Sequence, residues 1–244
     1  MIIIPMAGMS SRFFKAGYDK PKYMLEAHGK TLFEHSVESF EALFLDTKFL
    51  FIVKDVYNTK NFVYQKAKAL GIRDFNIVIL AENTRGQAET VIYGLEGLKS
   101  QGISYDGPIT IFNIDTFRPN FFFPRDIEKN DGYLEVFEGE GDNWSFVKPE
   151  SEKKTIVKET AEKRKISNLC CTGLYHFGSV SLYVKAYNNY LTIPKENWDS
   201  GELYVAPIYN YLIKQGYKIH YNKINRDEVI FCGVPEEYLE YLEK

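Results

Sequence analysis

The chain has 244 residues, enough for one large α/β domain or two small ones around a sizeable core. It is 45% hydrophobic and 26% charged, with a formal net charge of −3 and its 30 Lys and Arg scattered along the sequence. That excludes the basic stripe of a nucleic-acid binder, and no run approaches the ~18 consecutive apolar residues of a membrane span. The start has neither a charged leader nor an apolar one beyond Ile2–Ile4. Three cysteines (Cys170, Cys171, Cys232) lack metal or redox spacing and read as buried thiols in a reducing compartment. The expectation is a cytoplasmic protein whose partners are small molecules, with no nucleic acid and no membrane.

A first strand over 1–6 runs at once into a small-residue loop over 7–17, ahead of Pro21 and Lys22. A helix over 31–43, a strand over 48–54, a helix over 59–70 and a strand over 76–80 follow. A helix over 87–98 and a strand over 109–112 close this half. Strands alternating with helices of this length predict a parallel sheet covered on both faces, and right-handed crossovers make it doubly wound. After Asp115 the pattern turns antiparallel, with strands over 132–138, 144–148 and 155–159 and turns over 139–143 and 149–154. A strand over 171–177, helices over 180–190 and 203–214, strands over 217–224 and 229–232, and a short helix from Pro235 follow. The expected fold is a single α/β domain with a doubly wound, mostly parallel, Rossmann-like sheet and an antiparallel insertion.

In open α/β sheets ligands bind beyond the carboxyl ends of the strands, and the 7–17 loop sits there. Gly8, Ser10 and Ser11 keep it small enough for backbone N–H groups to approach an anion. Arg12 adds a planar guanidinium fork suited to phosphate oxygens, and Lys22 a compact point charge. A Walker A loop is absent, and Ala7–Phe13 has one of the three glycines of a dinucleotide fingerprint. ATPase, GTPase and NAD-dehydrogenase readings therefore lose their support. The plain alternative is an ordinary strand-to-helix turn with a surface Arg and Lys.

The run Pro5-Met6-Ala7-Gly8-Met9-Ser10-Ser11-Arg12-Phe13, the later Pro21-Lys22, and Gly29-Lys30 ahead of a helix resemble the nucleotidyltransferase superfamily signature. Its usual form is (L/P)-x-A-G-x-G-(T/S)-R, then P-K, then G-x-P. Ser10 stands where the second glycine is usual, and Lys30-Thr31 departs mildly from G-x-P. Five later segments agree in order. Residues 82–88 resemble the segment that faces the base, and Phe112-Asn113-Ile114-Asp115 the strand end bearing a metal-binding Asp. Residues 159–163 and 172–175 resemble E-K-P and a following G-x-Y, and 233–236 the late G-T-P-E. The spellings NIDT, SFVK, AEK and CGVPEEYL are similar to the subgroup attached to capsule and other surface-polysaccharide gene clusters.

The resemblance implies a fold of nucleotide-diphospho-sugar transferase type, with 1–125 a nucleotide-binding half and 126–244 an acceptor-binding half. It implies transfer of a nucleoside monophosphate from an NTP, CTP favoured, to a phosphorylated metabolite with loss of pyrophosphate. Such a transfer calls for positioning and charge neutralisation rather than a protein nucleophile. Arg12 would hold the β- and γ-phosphates, Lys22 the α-phosphate, and Asp115 a Mg²⁺ ion for which Mn²⁺ can substitute. Ala7, Gly8, Met9, Ser10 and Ser11, with Gly86, Gln87 and Asn113, would contact the nucleotide. Lys163 would draw in the acceptor phosphate, with Glu162, Thr172 and Gly173 shaping its site.

Relatives commonly carry a second metal carboxylate in D-x-G-x-P, where this chain has Phe231. Asp199 or Glu202 could replace it or could cap the helix near Leu203, and Asp115 with phosphates alone is a third arrangement. A homodimer is the default expectation. The rivals are a sugar-1-phosphate nucleotidylyltransferase, a glycosyltransferase of similar architecture and a silent nucleotide-binding module. The glycosyltransferase would show D-x-D where this chain has NIDT, and the silent module would have lost the charges retained here.

Overall fold

The computed structural model describes all 244 residues, the side chain of Glu128 excepted. Along the chain run β1 (Ile2–Met6), α1 (Ser11–Lys15), β2 (Glu26–Ala27), β3 (Lys30–Thr31) and α2 (Leu32–Val37). Next come β4 (Phe49–Val53), α3 (Thr59–Ala69), β5 (Phe75–Ile79), α4 (Gln87–Ser100), β6 (Ile109–Phe112) and β7 (Thr116–Phe117). Then follow β8 (Gly132–Glu138), β9 (Ser145–Ser151), β10 (Lys154–Glu162), β11 (Leu169–Phe177) and α5 (Val180–Tyr190). The last are α6 (Val205–Lys214), β12 (Ile219–Ile224), β13 (Ile230–Phe231) and α7 (Pro235–Leu242). The elements sort into two compact units, each assembled from separated segments.

The first unit holds Ile2–Asn83, Phe112–Phe122 and Asp227–Lys244. Its strands lie in the order β5-β4-β1, all parallel, with Phe49 opposite both Ile2 and Phe75. All five residues of β4 are buried, as expected of a parallel strand covered on both faces. The helix expected over 31–43 divides: α2 starts on a Thr31–Glu34 capping box and ends at Val37. Residues Glu38–Leu43 form a 3₁₀ stretch broken at Phe40 (φ −108°). Phe40 leaves the helical path because its ring packs edge-on against Phe112 and Phe121, each at 5.0 Å. β7 and β13 pair antiparallel and bring the late chain beside Asp115.

The second unit holds Met1, Thr84–Ile111 and Phe123–Arg226. Its strands run β6-β11-β8-β12-β10-β9, and β9 also pairs with β11 through Phe146 and Cys170. Strands β11, β8, β12, β10 and β9 therefore close on themselves, which removes their free edges. Here the expectation of a mostly parallel sheet is corrected. β12 is parallel to β8, whereas β8, β9 and β10 meet their other neighbours antiparallel. The two-residue connection between β9 and β10 makes that pair antiparallel, since parallel neighbours need a long crossover. The α/β class stands, with a mixed sheet.

Candidate active site

In the first unit the loop after β1 enters α1 through Ser10, which takes the left-handed conformation (φ 50°, ψ 32°). Serine thus does the conformational work of the glycine that the superfamily pattern has there, and its hydroxyl accepts the Lys22 N–H at 3.1 Å. A Cβ on Gly8 would meet nothing within 4 Å, so open space faces the loop there. Met9 is 46% exposed and Ser11 is exposed. Arg12 is exposed too, while the next residue, Phe13, is buried in an apolar cluster with Leu25, Phe117 and Tyr238.

Asp115 follows β6, and its carbonyl accepts the Cys232 N–H at 2.8 Å. Its carboxylate Oδ2 lies 2.5 Å from Lys22 Nζ. Burial pushes the Asp115 carboxyl up, but the Lys22 charge and hydrogen bond, with Arg12 behind them, hold it below the ordinary range. A Cβ on Gly233 would come 3.0 Å from Asp115 Oδ2 and 3.5 Å from Glu237 Oε2, so glycine there spares both carboxylates a close contact. Asn113 lies between β6 and Asp115, and its carbonyl accepts the Ser36 hydroxyl at 3.3 Å. The structure thus brings Ser10, Arg12, Lys22 and Asp115 together.

In the second unit Gly86 and Gln87 open α4. A Cβ on Gly86 would sit 2.5 Å from the Leu203 carbonyl oxygen, so glycine is required for that approach. The loop is pinned there by Leu203 N–H on Arg85 O (3.0 Å) and Ala88 N–H on Leu203 O (2.8 Å). Beside it, Arg85 donates to the buried Glu89 through Nε at 2.8 Å and a terminal nitrogen at 2.5 Å. The Arg85 guanidinium also lies over the Trp198 ring, at 5.6 Å.

Glu162 ends β10, 6% exposed, its carboxylate accepting the Ser145 hydroxyl. Ser145 Oγ is 3.1 Å from Tyr175 Oη. Burial pushes the Glu162 carboxyl up and Asp199 and Glu202 add to that, outweighing Ser145 and Lys163. Lys163 is left-handed (φ 52°), and its ammonium donates to Tyr204 Oη at 2.6 Å while standing 4.7 Å from that ring's centre. Thr172 and Gly173 occupy an irregularity of β11 between Cys171 and Tyr175, where Thr172 donates to the buried Glu135 at 3.1 Å. Neither Asp199 nor Glu202 caps α6, whose N-cap is Tyr204 without a side-chain bond. Asp199 instead accepts the Glu162 N–H at 2.9 Å.

Sequence reasoning passed over Tyr204 and the Arg85–Glu89 pairing, and it assigned no role to Ser145 and Tyr175 although both fall in segments it singled out. The pair left a signal, opposite charges four residues apart across a helix start. Glu135 left another, a lone acid inside the apolar run Tyr133–Phe137. All three cysteines are buried and free, and burial pushes Cys170 to about 11 and Cys232 to about 12, so these two are inert thiols at neutral pH. Among the described residues no group of three or more His, Cys, Asp or Glu gathers as a metal cage. No described helix is long and apolar enough to cross a membrane.

No protein-family profile and no curated protein matches the chain. Solved structures do. The nucleoside-diphosphate-sugar pyrophosphorylase of Vibrio cholerae RC9 is 62% identical over 100% of both chains, with a TM-score of 0.98. The inositol-1-phosphate CTP transferase of T. maritima shares the fold at 15% identity and a TM-score of 0.72, over 100% of this chain and 94% of that one. A UDP-glucose pyrophosphorylase crystallised with UDP-glucose matches at 16% and 0.70, over 99% and 96%.

Proposed function

The chain belongs to the nucleoside-diphosphate-sugar pyrophosphorylase family of nucleotidyltransferases, and within it we propose transfer of a nucleoside monophosphate from CTP to a small phosphorylated acceptor, releasing pyrophosphate. One observation carries this reading: the exposed Arg12 stands at the mouth of the β1 loop beside the Lys22–Asp115 pair. Three groups that handle phosphate charge are gathered at the carboxyl end of a parallel strand. In this reading Arg12, Lys22, Asp115 and Gln87 serve the nucleotide, and Lys163 and Glu162 the acceptor.

Arg12 neutralises the β- and γ-phosphates and so stabilises the leaving pyrophosphate. Lys22 moves its ammonium from Asp115 to the α-phosphate, where charge shifts as the acceptor oxygen attacks phosphorus and the α–β bridge breaks. Gly8 and the loop N–H groups approach the phosphates, and Gln87 presents an amide to the base. Asp115 is a hard oxygen donor of the kind that would hold Mg²⁺, or Mn²⁺, as one carboxylate together with substrate phosphates. When bound, the metal supplies Lewis-acid polarisation of the phosphate oxygens.

On the acceptor side Lys163 takes the phosphate. Three carboxylates, Glu162, Asp199 and Glu202, influence that one lysine or its neighbour, which suits an acceptor carrying its own ammonium group. Together with the capsule-subgroup spelling of the motifs, this favours phosphoglutamine, making the chain a CTP:phosphoglutamine cytidylyltransferase of capsule modification. The second reading, a sugar 1-phosphate as acceptor, is favoured by the naming of the 62% identical V. cholerae protein as a nucleoside-diphosphate-sugar pyrophosphorylase. The deciding experiment incubates the protein with each NTP and a panel of phosphorylated acceptors, following pyrophosphate release with Mg²⁺ and after EDTA. CTP with phosphoglutamine should give the highest kcat/KM. Reaction with sugar 1-phosphates alone establishes the second reading, and full activity in EDTA removes the metal from Asp115.

A further inference from the structure

The loop after β4 closes a tight turn in which the Thr59 N–H donates to the Val56 carbonyl at 3.0 Å across two left-handed residues, Tyr57 (φ 54°) and Asn58 (φ 55°). Such a turn requires positive φ at both central positions; Asn58 suits it, whereas a bulky aromatic there is uncommon. Tyr57 is also 57% exposed, so burial does not hold it in place. Its ring is nevertheless ordered against one neighbour, stacked on Phe14 with centroids 5.6 Å apart and planes 22° from parallel.

Phe14 lies on α1, which has five residues and also carries Arg12. A helix that short is not stable alone, so the place of Arg12 is set by what packs on α1. Phe13 fixes the inner side in the apolar cluster, and Tyr57 covers the outer side. The same loop reaches the second phosphate-handling residue. Thr59, fully buried, donates to the Val56 carbonyl and stands 2.8 Å from the hydroxyl of Tyr23, the residue after Lys22. Residues 56–59 therefore touch the segments that bear both Arg12 and Lys22.

We propose that the loop after β4 is a clamp that sets the separation of the two phosphate-binding cations, and that Tyr57 is a positioning residue acting on Arg12 through Phe14. The proposal rests on the nucleotide reading of Arg12 and Lys22. Displacing one of a pair of positioned charges by about 1 Å weakens their joint grip on a bound polyphosphate. The left-handed tyrosine is what aims the ring across α1 instead of out into water.

The test compares Tyr57→Asn, which keeps a residue tolerant of the left-handed region, with Tyr57→Phe, which keeps the ring. Tyr57→Asn should raise the NTP KM about tenfold with the acceptor KM unchanged, and Tyr57→Phe should restore the wild-type value. In an Arg12→Ala background Tyr57→Asn should add less than twofold, because the group it positions is gone. Phe14→Ala should reproduce the Tyr57→Asn effect and carries the test if that variant fails to fold by circular dichroism. An unchanged NTP KM in both variants, or a full tenfold effect on top of Arg12→Ala, overturns the proposal. A wild-type enzyme that releases no pyrophosphate from any NTP overturns the nucleotide reading instead. In that case, loss of Arg12–Tyr57 coupling in equilibrium titrations of pyrophosphate binding overturns the clamp separately.

Discussion

Around Asp115 opposite charges are matched one to one: Lys22 sits on the carboxylate at 2.5 Å and Arg12 is left facing solvent. Around Glu162 the balance is reversed. One ammonium, Lys163, feels Glu162 and Glu202, and Glu162 in turn feels Asp199; hydroxyls of Ser145, Tyr175 and Tyr204 bond within the group. The physical result is opposite titration behaviour, with Asp115 held below the ordinary carboxyl range and Glu162 pushed above it. A region that stays fully charged suits a polyanion. A region short of cations and rich in hydroxyls suits a ligand that brings hydrogen-bond donors and positive charge of its own.

The sharpest way to break this contrast is Asp115→Asn. It should lower kcat about a thousandfold, roughly 4 kcal/mol of transition-state stabilisation, while circular dichroism and Tm stay near wild type. Turnover within tenfold of wild type would remove Asp115 from the chemistry. Acid should separate two regions of the second unit as well. Burial and the nearby N-terminal ammonium push His176 down to about 4, against an ordinary value of 6.5. The unfolded chain binds the extra proton between those values, so stability should rise with pH across that window, by about 3 kcal/mol in all. The Tm of wild type should fall more steeply than that of His176→Asn as pH drops from 6.5 to 4; parallel profiles would show that His176 titrates normally.

Lys163→Ala should cost about fiftyfold in kcat/KM for the acceptor and leave the NTP KM alone, which steady-state kinetics with each substrate varied will read. Equal damage to both constants would erase the division between the two regions. The smallest expected effect is in the pH profile. Because Glu162 gains its proton above the ordinary carboxyl range and Asp115 below it, the acceptor KM should rise on acidification before the NTP KM does. Glu162→Gln should abolish that difference.

What could be read from the sequence follows the same line. The proposed phosphate side was easier to read because Gly8, Arg12 and Lys22 fall within one short stretch and Asp115 ends an apolar strand, and the structure brings Lys22 onto Asp115. The proposed acceptor side is assembled from single residues of β9, β10, β11 and the turn before α6; Ser145 and Tyr175 lie in the SFVK and G-x-Y segments without a role of their own there, and Tyr204 has no local pattern. The sheet shows a similar limit. The buried run of β4 reads as a parallel strand, but nothing in the alternation of β9 tells that Phe146 meets Cys170 and closes a ring. The 31–43 helix failed at Phe40 because tertiary packing of one aromatic ring outweighed helical periodicity.

The segment order of the first unit has a consequence for how the protein is made. Asp115 is secured by the Cys232 amide, and the pairing of β7 with β13 joins strands more than a hundred residues apart. All but Met1 and Thr84–Ile111 of the other unit is synthesised between those two strands. During translation, which delivers the amino-terminal part first, Arg12 and Lys22 emerge early but the support of Asp115 comes late. A nascent chain stalled before Ile230 would carry Arg12, Lys22 and Asp115 without the strand and the Cys232 amide that anchor the carboxylate-bearing residue.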